Sequence, residues 1–136
     1  MEKIKISTTV NVPVEKTWEY YNTPEHVTKW NNASEDWHTP SAVNTLEIGG
    51  SFSYRMESKD GKNGFDFEGT YTDLEENKYL SYKMSDGRTV SVNFENKGEK
   101  TEVTVEFDPE TENPIEMQRE GWQAILDNFK KYVESN

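Results

Sequence analysis

Apolar and polar residues alternate along this chain in two rhythms, and the switches between them mark out its elements. Over residues 3–12, Ile4, Ile6, Thr8, Val10 and Val12 recur every second position, which predicts a strand. Pro13 suits the first turn of a helix, and Val14, Trp18 and Tyr21 then follow helical spacing as far as Asn22. Thr23-Pro24-Glu25 reads as a fresh start, with Thr23 capping and Pro24 at N1. A second short helix carrying Val27 and Trp30 is expected to end near Asn31-Asn32. Residues 33–41 read as a loop that holds Trp37 and His38.

The rest of the chain, up to its last helix, is a meander. A strand over 42–48 closes at Gly49-Gly50, and Phe52, Tyr54 and Met56 then alternate with Ser53, Arg55 and Glu57. Asp60-Gly61 and Gly64 supply turn chemistry, after which Phe65, Phe67, Gly69 and Tyr71 share one face. Beyond the Glu76-Asn77 turn come Leu80, Tyr82 and Met84. Asp86-Gly87 gives a hairpin signal before Val90, Val92 and Phe94, and a turn at Gly98 precedes Val103, Val105 and Phe107. Strands this closely spaced leave no room for crossover helices, so the sheet is expected to be antiparallel.

The final rhythm is helical. After a polar loop over 108–113, Asn113 and Pro114 are expected to open a helix as cap and N1. Met117, Gln118, Gly121, Trp122, Ile125, Leu126, Phe129, Tyr132 and Val133 then form one stripe. Twenty such residues span roughly 30 Å, about the length of a strand of eight or nine residues. One helix can therefore cover the apolar face of the whole sheet. Gly121 costs on the order of 1 kcal/mol against Ala in a helix, and close approach to the sheet is its expected reason. The layout is α+β: a strand, two short helices, six strands and a long C-terminal helix.

Composition changes this picture in three ways. Only 32% of residues are apolar, but 12% of the chain is aromatic, so the core is expected to be built from few, large side chains. Acidic residues outnumber basic ones 26 to 15, for a formal charge of −11, which disfavours nucleic acid and anionic membrane surfaces as partners. No cysteine is present, which removes disulfides, thiolate metal sites and a cysteine nucleophile. The charged start Met1-Glu2-Lys3-Ile4-Lys5 does not read as an export signal, and no run is long and apolar enough to span a membrane. A cytoplasmic protein, folded as one domain over residues 1–136, is the expectation.

The stretch Val12-Pro13-Val14-Glu15-Lys16-Thr17-Trp18-Glu19, followed by Thr23-Pro24-Glu25-His26-Val27-Thr28-Lys29-Trp30, resembles the opening of the activator of heat-shock protein 90 ATPase homologues. Ile48-Gly49-Gly50-Ser51-Phe52, Gly69-Thr70-Tyr71 and Gly121-Trp122-Gln123-Ala124-Ile125-Leu126-Asp127 extend the resemblance along the chain. That family lies in the START-like (SRPBCC) superfamily. The resemblance implies the helix-grip fold of the birch pollen allergen, with a curved antiparallel sheet of about seven strands around the long helix. It also implies a hydrophobic cavity between sheet and helix, used in different branches for binding or for catalysis. Fold alone does not choose among these uses.

The expected ligand-binding set is Phe52, Tyr54, Met56, Phe67, Tyr71, Tyr82, Val92 and Phe94 from the sheet, with Leu80 and Val90 on the same face. Gln118 and Trp122 are expected to face them from the helix, and Trp30, Trp37 and His38 to border the mouth. The tyrosines and Gln118 would bring polar tips into an apolar layer, as ligand sites do. His26 is expected on an exposed helix face. The one acid–base candidate is His38, with Asp36 or a pocket tyrosine. No phosphate loop, nucleophile elbow or metal-ligand spacing stands out.

Binding of a small hydrophobic or amphipathic molecule, without an organic or metal cofactor, is the leading expectation. A cyclase or hydrolase that uses His38 and pocket tyrosines in the same cavity is the second. The third is stimulation of a chaperone ATPase, although the separate chaperone-engaging domain of the eukaryotic co-chaperone has no counterpart in these residues. A monomer and a homodimer both fit.

Overall fold

The computed structural model of the chain describes residues 2–136; Met1 lies outside the described residues. In chain order the elements are β1 (Ile4–Val10), α1 (Val14–Asn22), α2 (Pro24–Trp30), β2 (Trp37–Asn44), β3 (Ser51–Ser58), β4 (Gly64–Glu75), β5 (Tyr79–Met84), β6 (Thr89–Asn96), β7 (Thr101–Phe107) and α3 (Ile115–Ser135). The strands form one antiparallel sheet in the order β1-β7-β6-β5-β4-β3-β2. This is the expected α+β helix-grip layout, with seven strands, two short helices after the first, and a long final helix.

Register explains why one face of the sheet is apolar throughout. Ile6 pairs with Val105, Val105 with Val92, and Val92 with Leu80, so a single row of side chains crosses four strands. All four are at most 5% exposed. Leu126, Phe129 and Val133 of α3 complete this core from above. The helix is also tied to the edge strand β1: Lys130 Nζ donates to Thr9 O at 2.6 Å and Gln123 Nε2 to Ser7 O at 3.2 Å. The Trp122 ring reaches both Phe67 on β4, at 6.0 Å between centroids, and Phe107 on β7, at 4.0 Å. Those strands stand three steps of about 4.8 Å apart in the sheet, a span the ring bridges because the sheet curls around the helix.

Turn chemistry is where the sequence placed it. Gly87 adopts φ +94 in the β5–β6 hairpin, a conformation that side chains with a Cβ rarely adopt, and Asp86 Oδ1 accepts from Arg88 N at 3.0 Å.

Several expectations are corrected. Strand β2 starts at Trp37 and ends at Asn44, where a loop over 33–41 and a strand over 42–48 were expected. The periodicity is hidden by Pro40 and by a register shift between His38 and Ser41, both tolerable because β2 is an edge. Thr23 and Pro24 take the expected cap and N1 positions, but the Thr23 hydroxyl makes no capping bond. Pro13 and Pro114 sit at the cap positions of α1 and α3, one residue earlier than expected. Gly121 approaches nothing: a Cβ built there would meet no atom within 4 Å, so sheet proximity is not its reason. Met117 leaves the stripe and is 58% exposed. His26 is only partly exposed, stacked on Tyr20 at 3.8 Å, with its Nδ1 2.7 Å from the Tyr132 hydroxyl.

Candidate functional site

Three layers line a cavity of about 350 Å³: the inner face of β3 to β5 with Ile6 of β1 and Val105 of β7, the α1–α2 corner, and the middle of α3. That volume lies at the lower end of the range for small-molecule sites. The floor is aromatic because β3 and β4 pair Tyr54 with Phe67 and Phe52 with Gly69, while β4 and β5 pair Tyr71 with Tyr82. Phe52 is the hub, with ring centroids 4.8 Å from Tyr54, 4.8 Å from Tyr82 and 5.5 Å from Phe67. Aromatic pairs of this kind add about 0.5–1.5 kcal/mol each beyond area burial. Gly69 makes the packing feasible: a Cβ there would stand 2.6 Å from Phe52 Cε2 and 2.8 Å from Tyr82 Cδ2.

Phenol hydroxyls give the hollow its polar character. Tyr71 donates to Asn44 Oδ1 at 2.8 Å, and Asn44 Nδ2 in turn donates to Asn22 O at 2.8 Å, which ties the cavity wall to α1. Burial pushes the Tyr71 phenol up to about 12. Tyr21, Tyr54 and Tyr82 are raised as well, first by burial and then by the other tyrosines nearby. All four therefore stay protonated across the neutral range. Tyr21 keeps one side on the hollow while Trp30, Phe94 and Phe129 pack around its ring.

The expected site residues divide in two. Trp30, Phe52, Tyr54, Met56, Phe67, Tyr71, Tyr82 and Trp122 all line the cavity. Five do not. Val92 and Phe94 are core residues beneath α1 and α3, where Trp18 packs on Phe94 at 5.1 Å. Gln118 is buried, but it binds the preceding loop: its Oε1 accepts from Glu110 N, and its Nε2 donates to Glu110 O and Asn113 O. Trp37 pairs with Ser58 beyond the end of the cavity and packs on Phe65 at 6.0 Å.

His38 stands directly across from Glu57, with Nε2 and Oε1 3.9 Å apart. Glu57 lies on the opposite face of β3 from Tyr54 and Met56, so His38 points away from the hollow. The His38 acid–base candidate therefore has no place in this cavity.

Sequence reasoning missed Tyr21, which helical spacing marked only as core, and two asparagines. Asn22 and Asn31 read as polar ends of short helices, yet both are 5% exposed and both line the cavity. It also missed the charged lining residues Asp66, Glu68, Asp86 and Arg88. Outward alternation on β4 and a hairpin turn were the only signals, and neither distinguishes a pocket rim from ordinary surface. Among the described residues no three His, Asp or Glu side chains converge as a metal-ligand set. Among the described residues no helix is long and apolar enough to cross a membrane.

Residues 11–134 match the sequence model of the family described as activator of Hsp90 ATPase homolog 1-like protein. The chain belongs to this family. The AHSA1-like protein from Aeromonas hydrophila is 44% identical, with a TM-score of 0.88 over 97% of this chain and 93% of that one. Chr148 from Cytophaga hutchinsonii is 46% identical, with a TM-score of 0.85 over 98% and 93%. At 19% identity, the Aha1 dimer from Colwellia psychrerythraea shares the fold, with a TM-score of 0.78 over 98% and 97%. No curated protein matches the chain. The AHSA1-like architecture is the START-like helix grip, a fold that commonly holds ligands, and the cavity lies in its grip between sheet and helix.

Proposed function

We propose that this chain binds a small amphipathic molecule in the cavity between the sheet and α3. The observation that carries the reading is the lining: an aromatic hollow with a few phenol and amide groups turned into it. A core meant only for stability would fill such a space, since voids cost free energy in proportion to their volume. The groups available inside are hydrogen-bonding phenols and amides, which suit recognition. With His38 on the outer face, only the cavity tyrosines remain of the groups assigned to the enzymatic reading.

Equilibrium dialysis of the purified chain against naphthalene tests this. Saturable binding with one site per chain is expected, and Trp122→Ala should weaken it. Absence of saturable binding by this and other apolar probes of similar size would remove the proposed role. Because the Colwellia relative is described as a dimer, sedimentation of this chain with and without the probe is the natural companion measurement.

A further inference from the structure

The four phenols of the hollow fall into two kinds. Tyr71 and Tyr82 are cross-strand partners on β4 and β5, Tyr54 stands on β3, and Tyr21 reaches in from α1. Tyr71 belongs to the fold. Asn44 Nδ2 donates to Asn22 O, a backbone carbonyl that can only accept, so the Asn44 amide fits one way round. Its Oδ1 therefore faces Tyr71, whose hydroxyl must donate to it, at 2.8 Å. The Tyr54 hydroxyl lies within bonding reach of the Tyr71 oxygen on its other side. These two phenols are matched inside the chain.

Tyr21 and Tyr82 are the second kind. Burial and the neighbouring phenols act on both, but no hydrogen bond within the chain does. Of the other phenols Tyr21 acts most strongly on Tyr82, so the two hydroxyls stand near each other across the hollow. Neither oxygen is sealed in. Among the described residues, the one wholly enclosed side-chain nitrogen or oxygen without a partner is Asn31 Nδ2. Tyr82 is only 7% exposed and lines the cavity, so the surface its hydroxyl keeps opens inward. Buried phenols ordinarily find a partner, and both of these keep their protons across the neutral range. Two O–H donors thus face the space between sheet and helix with nothing in the chain to receive them.

We propose that the hydroxyls of Tyr82 and Tyr21 together bind a carbonyl oxygen of the occupant, which is an apolar carbonyl compound. This rests on the binding function proposed above. A carbonyl oxygen has two lone pairs and no proton of its own, so it takes both donors at once. Phe67 and Trp122, which meet edge to face at 6.0 Å, receive the apolar body.

Two probes with one skeleton, naphthalene and methyl naphthyl ketone, test this by equilibrium dialysis with the whole chain. The wild type should favour the ketone about twentyfold, the scale of two hydrogen bonds. Tyr82→Phe and Tyr21→Phe should each cut the ratio of ketone to naphthalene affinity about fivefold, and the double variant should bring it to unity or below. Urea unfolding separates this from a structural role. Neither substitution breaks a bond within the chain, so both variants should keep the wild-type midpoint. Tyr71→Phe, which leaves Asn44 Oδ1 unmatched, should lower it. The infrared carbonyl stretch of the bound, isotope-labelled ketone should lie below its value in cyclohexane and move back toward that value in the variants. A ketone preference that survives the double substitution overturns the inference, as does a wild-type stretch equal to that in cyclohexane. So does a Tyr82→Phe midpoint as low as that of Tyr71→Phe. In each of these cases saturable naphthalene binding leaves the binding function standing, whereas binding of neither probe overturns both. The infrared reading on the wild type needs no variant to fold.

Discussion

Trp122 lies flat on Phe107, with ring centroids 4.0 Å apart and planes 10° from parallel, while its edge meets Phe67 at 6.0 Å. One indole thereby joins α3 to two distant strands and forms part of the cavity wall. Trp122→Ala should lower stability by about 3 kcal/mol, the low end for large aromatics because Trp122 is half-buried. Trp122→Phe should recover most of that loss. Urea unfolding of the two variants against the wild type checks both values, and equal losses would show that the stacking is incidental.

Gly69→Ala tests how tightly the aromatic floor is built. The new methyl would press on Phe52 and Tyr82 at 2.6–2.9 Å, and neither ring is the free end of a flexible chain. Overpacking of this kind costs about 1–3 kcal/mol. Gly121→Ala on α3 is the internal control: it meets open space and should stabilise the helix by about 0.5–1 kcal/mol. Thermal or urea unfolding should therefore show opposite signs for the same chemical change.

Acid stability should depend on Asp108. Hydrogen bonding to Lys3, followed by bonds from Thr89, lowers its carboxyl from 3.8 to about 2. Because the folded value is the lower one, the contribution is present above pH 3.8 and is lost as pH falls through about 2. Asp108→Asn should lower the urea midpoint at neutral pH, by about 1 kcal/mol in free energy. The difference from wild type should close toward pH 2. A gap that stays constant with pH would place the effect in packing instead of charge.

At the alkaline end the sign reverses. Tyr71 is raised from 10.0 to about 12, and Tyr21, Tyr54 and Tyr82 are raised with it. Their folded values exceed the unfolded one, so their contribution is complete below pH 10 and declines as pH rises beyond it. Ultraviolet titration should show these four of the seven tyrosines ionising only as the protein unfolds. Four early, independent ionisations would contradict the burial described for them.

The architecture was legible because each strand from β3 to β7 buries alternate residues, and period two survives in the sequence wherever one face is dry. It failed at β2, where a bulge and Pro40 break the alternation on an edge that only half needs it. The cavity floor was readable for the same reason as the strands, since Phe52, Tyr54 and Tyr82 had to share a face. Depth along that face was not. Val92 and Phe94 obey the same alternation as Tyr82, yet α1 and α3 cover them, and no local pattern records where a helix crosses. Asn31 was hidden by its place at a helix end, where an asparagine is unremarkable unless the fold happens to bury it. Gln118 shows the reverse: its spacing put it on the apolar stripe, but the loop before α3 folds back and uses up its amide.

Pairing Ile4 with Phe107 sets the order in which this molecule can assemble. The meander β2 to β7 joins neighbours through short turns and can zip locally, whereas β1 must wait for a partner about a hundred residues downstream. Such distant pairing carries a loop-closure penalty and slows folding. During synthesis, then, β1 stays without its neighbour until β7 has left the ribosome, and only afterwards can α3 dock across both and seal the hollow.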